Sequence, residues 1–142
     1  MPKAAPKRKQ EQTPPRGFAE QERPFTHDAI MRGIEAKKVK ALIDRGALDA
    51  KQVYRFIPER TFNRRLAKGE TLKPAEADGI SRLLRLTELA TKIFTDAAFA
   101  RKWLSLPNPA LNQRIPSELA ATDAGACEVE VILNRIAYGV YS

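Results

Sequence analysis

Cysteine and histidine occur once each in these 142 residues, and no long apolar run interrupts the charged ones. Each scarcity excludes something. Cys127 alone cannot close an internal disulfide, so stability must come from a core and the chain suits a reducing compartment. His27 and Cys127 leave no metal-ligand spacing and no catalytic dyad, and no phosphate loop or nucleophile elbow is present. They read as a helix-start residue and a small packing residue. Glu128 and Glu130 stand two apart in a helical segment, point in different directions and cannot work as a carboxylate pair. No window approaches the roughly 18 apolar residues that span a bilayer. No apolar stretch follows the charged start, as a secretory signal would require. The expectation is a soluble, cytoplasmic chain with no catalytic residue, no metal and no cofactor.

Charge, by contrast, is abundant and uneven. The net +8 includes +3 from residues 1–24 and +4 from residues 54–73, whereas residues 115–142 carry −3. A basic middle and an acidic end imply two surfaces with different partners. Residues 1–24 hold five prolines and almost no apolar side chains. They cannot bury enough surface to offset their ordering entropy, and read as a disordered basic tail.

From residue 26 onward the apolar spacing is helical, with no strand-like alternation, so the fold class is all-α. A first helix is expected over residues 28–45, stopping at Gly46. A second begins at Asp49, with Gln52 three residues on as a capping box, and ends at Pro58. A third covers 59–67, with Phe62 and Leu66 inward. Pro74 opens a long helix to about residue 94, apolar on more than one face and expected to pack on both sides. A further helix, capped by Asp96, buries Phe99 and Trp103. An ordered loop follows over 106–116, and a last helix covers 124–138 with Val129, Ile132, Leu133 and Ile136 as its stripe.

Two short helices joined by a tight turn, the second basic, are what a helix-turn-helix requires, although short basic helices are also common on purely structural domains. The 59–67 helix has an apolar edge for its own fold and a polar edge for a major groove: Arg60, Thr61, Asn63, Arg64, Arg65 and Lys68. Arg and Asn make bidentate contacts with base edges, and Lys and Thr suit phosphates. The segment 49–57 is the second choice, because it offers only Lys51, Gln52 and Arg55.

Three strings go beyond periodicity: IFTDAAFARKWLSLPNPAL (93–111), GACEVEVILNRI (125–136) and the ending AYGVYS. They resemble the C-terminal toxin-binding domain of antitoxins in the RES–Xre, or ParS/MbcA-like, toxin–antitoxin family. The preceding stretch, with RTFNRR and RLLRL, resembles that family's Xre-type helix-turn-helix, so the likeness covers residues 28–142. The family often has glycines after Ala-Leu, where this chain has Asn112 and Gln113, and a hydroxyl residue where Lys73 precedes Pro74. The resemblance implies a non-enzymatic type II antitoxin that covers the active site of a RES-domain, NAD-degrading toxin and represses its own operon by binding operator DNA. Carried over by position, the toxin-facing residues are Trp103, Pro107, Asn108, Pro109, Leu111, Arg135, Tyr138, Gly139, Val140, Tyr141 and Ser142. Three regions follow: the tail 1–24, a DNA-binding and dimerisation region 25–92, and a toxin-binding module 93–142. A homodimer is expected, built on the long helix and reading half-sites about 34 Å apart. The competing reading is a stand-alone Xre-type repressor whose C-terminal module only dimerises.

Overall fold

The computed structural model describes residues 25–139; the proposed tail and Val140, Tyr141 and Ser142 lie outside them. Eight α-helices run in order: α1 His27–Arg32, α2 Ala36–Asp44, α3 Ala50–Val53, α4 Glu59–Lys68, α5 Pro74–Phe94, α6 Ala97–Ser105, α7 Pro116–Leu119 and α8 Asp123–Ala137. A 3-10 turn at Pro109–Leu111 lies between α6 and α7. Among the described residues there is no strand beyond isolated bridges, and no helix is long and apolar enough to cross a membrane. The all-α reading holds.

The first expected helix is two helices. Gly33 adopts φ 109° and sits against Thr71, whose Cβ would lie 3.0 Å from any β-carbon added there. The chain leaves α1 at this point and pairs with the segment before α5. Leu72 N donates to Ile34 O at 2.7 Å and Ala36 N to Glu70 O at 3.1 Å. The helical register of the apolar residues on both sides of Gly33 conceals this break, because a single left-region glycine resets direction at little cost in sequence pattern.

Helix α5 is the axis of the molecule, and it spans the residues read from sequence. Ala77, Gly79, Ile80, Leu83, Leu84, Leu86, Thr87 and Ala90 are buried around its circumference. Helices α1, α6 and α8 pack on it. Burying helix faces in this way removes roughly 25 cal/mol of unfavourable hydration per Å2 of apolar surface, the main term holding the bundle together. It also corrects the basis of the expected dimer: the apolar faces of α5 are occupied by the chain's own α6 and α8. Two further expectations change. Gln52 forms no capping box at Asp49; it is buried and donates to the Arg101 carbonyl at 3.3 Å. Phe99 is 49% exposed, its ring edge-on to Phe94 with centroids 4.9 Å apart.

Candidate functional site

Two surfaces carry the residues singled out by sequence. The first is the outer face of α4. This helix follows a short α3 and a turn closed by Pro58, and ends at Gly69, which takes the left-handed conformation at φ 65°. Phe62 is fully buried, and Tyr54 packs near it with ring centroids 6.1 Å apart. Fixing Phe62 inward turns Arg60, Asn63, Arg64 and Lys68 outward, all exposed, with Thr61 half-buried at the margin. Arg60, Arg64 and Lys68 form no ion pair among the described residues. Elsewhere on the helix-turn-helix half, Lys37 pairs with Glu35 at 3.0 Å and Lys40 with Asp44 at 2.6 Å. Arg32, Lys38, Arg45, Lys51 and Lys73 are likewise outside these ion pairs, but they are spread over several elements, whereas α4 carries three such cations within ten residues.

Arg65 does not belong with them. It is 6% exposed, and its guanidinium is paired to Glu76 at the start of α5. Glu76 also accepts the Lys73 backbone N–H at 2.8 Å. This supplies the helix start that the missing hydroxyl at position 73 does not. The inward positions of α4 are 62, 65 and 66, so Arg65 occupies a core slot three residues after Phe62. Its charge is part of the fold, and the outward set shrinks to Arg60, Thr61, Asn63, Arg64 and Lys68.

The second surface lies on α6, the loop after it, and α8. Asp96 caps α6 by accepting from Phe99 N at 3.0 Å. Trp103 is half-buried against Phe94, ring centroids 5.7 Å apart. In the loop, Asn108 accepts from Ala110 N at 2.9 Å through Oδ1, and its own N–H donates to Arg114 O at 3.1 Å. Pro107 and Pro109 are thereby presented to solvent. Asn112 and Gln113 take left-handed φ values of 57° and 65°. The loop therefore requires the backbone region glycine favours, and here two non-glycine residues adopt it. Leu111 is buried against α8 and anchors the loop instead of presenting a contact.

Helix α8 begins at Thr122, whose hydroxyl accepts from Gly125 N at 2.9 Å. A β-carbon at Gly125 would stand 2.9 Å from the Leu119 carbonyl carbon, so glycine there lets α7 press onto α8. At the far end Arg135 is exposed, Tyr138 is 82% exposed and Gly139 turns the chain with φ 64°. On this second surface sequence reasoning missed the exposed apolar residues Phe99, Leu106 and Val131. Phe99, Trp103 and Leu106 recur at i, i+4 and i+7, a visible signal that resembles a core stripe. Val131 breaks the buried stripe of α8, and that irregularity marks it.

Residues 26–85 match the antitoxin Xre-like helix-turn-helix domain family. Residues 89–139 match the antitoxin Xre/MbcA/ParS C-terminal toxin-binding domain family. Among curated proteins, an antitoxin Xre of Pseudomonas putida is 31% identical over 113 residues, covering 80% of this chain and 71% of that protein. An antitoxin Xre of Yersinia enterocolitica is 29% identical over 118 residues, covering 81% and 80% respectively. An outward basic helix in the first half, and an exposed proline loop and helix end in the second, therefore sit in the two domains these matches delimit: the chain belongs to the Xre/MbcA/ParS family of antitoxins.

Proposed function

We propose that this chain is the cytoplasmic antitoxin of a type II toxin–antitoxin system, blocking a RES-domain toxin that consumes NAD and repressing its own operon. The observation that carries the toxin-facing half is the end of α8. Tyr138 stands in solvent beside a left-handed Gly139, where the backbone turns off the end of α8. A tyrosine presented this way is a favoured anchor for a partner's pocket, since it buries a large area with two side-chain torsions. Arg135, one turn earlier, offers a cation to the same partner. Phe99, Trp103, Leu106, Pro107 and Pro109 supply apolar area on α6 and its loop.

Operator binding falls to α4, with Arg60, Asn63 and Arg64 facing base edges and Lys68 and Thr61 facing phosphates. A helix-turn-helix protein of this kind reads two half-sites with two copies. The second copy must meet the first through a surface other than α5, whose faces are filled.

Deleting residues 138–142 tests the proposal. The truncated chain should keep its helical content and melting temperature, bind operator DNA as before, and fail to suppress NAD loss when co-expressed with the product of the neighbouring gene. Full suppression by the truncated chain would refute the capping role.

A further inference from the structure

The two halves of this antitoxin are joined by more than α5. Helix α3 is a single turn, and the segment from Gly46 through α3 to Phe56 is the first arm of the helix-turn-helix. Its polar ties run into the C-terminal module. The Arg101 guanidinium on α6 donates to the Gly46 carbonyl, and Gly46 needs its φ of 79° to present that carbonyl. Gln52 on α3 donates back to the Arg101 carbonyl at 3.3 Å. Arg55, just beyond α3, is paired with Glu118 on α7. Phe56 then lies so close over Gly79 that a β-carbon there would approach its ring within 2.6 Å.

These ties act on the segment that sets where α4 points. Arg101 is two residues before Trp103, and Glu118 is two residues after the proline-rich loop. We infer that Arg101 and Glu118, residues of the toxin-binding module, are positioning residues for DNA reading: they hold the first arm of the helix-turn-helix so that α4 enters the groove in register. The inference rests on α4 being the operator-binding helix. Base readout depends on side chains placed to within a fraction of an ångström, whereas phosphate attraction tolerates displacement. Loosening this clamp therefore lowers sequence discrimination and leaves non-specific affinity in place.

The test uses full-length protein and two duplexes. One carries the region upstream of its own coding sequence; the other is a shuffled duplex of equal composition. Both are titrated across a salt series. Glu118→Gln is near-isosteric and exposed, and its melting temperature should equal that of the parent chain. Its ratio of specific to non-specific affinity should fall about tenfold, the discrimination supplied by one bidentate base contact. The salt slope should be unchanged. Arg101→Met should show the same loss, and exchanging the pair, Arg55→Glu with Glu118→Arg, should restore discrimination. Unchanged discrimination in Glu118→Gln would overturn the inference. So would intact discrimination with a salt slope steeper by about one, since Arg55 would then be a phosphate contact released from Glu118. No discrimination by the parent chain would refute operator reading by α4, and this inference with it.

Discussion

Replacing Gly125 with alanine sets two principles against each other. Alanine is the better helix former by up to about 1 kcal/mol in a helix interior, and less in the first turn where Gly125 sits. Against that gain stands the contact with α7. The added carbon would fall 2.9 Å from the Leu119 carbonyl carbon and 3.0 Å from Thr122 Oγ1. A backbone carbonyl cannot swing aside as a side chain does, so α7 must lift from α8, an overpacking cost of about 1–3 kcal/mol. The same carbon crowds the Thr122 hydroxyl that caps the helix through Gly125 N, and losing such a cap costs about 1 kcal/mol. The expected net destabilisation is about 2 kcal/mol. For a chain of this size that lowers the melting temperature by about 6–10 °C. Thermal denaturation followed by circular dichroism, with a urea titration to separate ΔG from the slope, measures it. A Gly125→Ala variant that melts at or above the parent would refute the steric reasoning and leave helix propensity as the deciding effect.

Arg64→Glu should abolish operator binding with stability unchanged, read by mobility shift and thermal melting. Arg65→Met should lower stability by about 3 kcal/mol, because Glu76 keeps a partly buried charge without its main partner; denaturant unfolding gives the value. Leu111→Ala should cost about 2–4 kcal/mol in stability, as expected for a buried anchor, and unchanged stability would return Leu111 to the contact surface. Any dimer seen by light scattering at micromolar concentration should survive Lys92→Glu on the exposed side of α5, and a dimer lost on that change would contradict the packing described for this helix.

Much of this was legible in the sequence because the cues were local. Pro74 marked the start of α5 and Asp96 that of α6, since helix starts advertise themselves through caps and proline. The stripe of Val129, Ile132 and Leu133 gave α8 its inward face. What escaped was set by distant partners. Arg65 reads as a surface cation until Glu76 is seen beside it, although its spacing from Phe62 already placed it inward. Gln52 looks like a capping residue because its true partner, the Arg101 carbonyl, lies 49 positions away. The turn at Gly33 depends on Thr71, another pairing that no window of ten residues contains. Periodicity reports which face of a helix turns inward, and says nothing of what waits there.

Helix α5 passes without interruption from the floor of the DNA-reading half to the wall of the toxin-facing half. Recombination between relatives would have to cut this rod, and the cut would have to preserve its phase. A one-residue insertion in its middle turns everything downstream by about 100° and advances it about 1.5 Å. Such a change leaves composition, charge and both domain signatures untouched, yet it carries Arg101 and Glu118 away from Gly46 and Arg55. An exchange of halves therefore has to match the phase of α5 on both sides of the cut, a demand that substitutions in the loop and at the helix ends do not make.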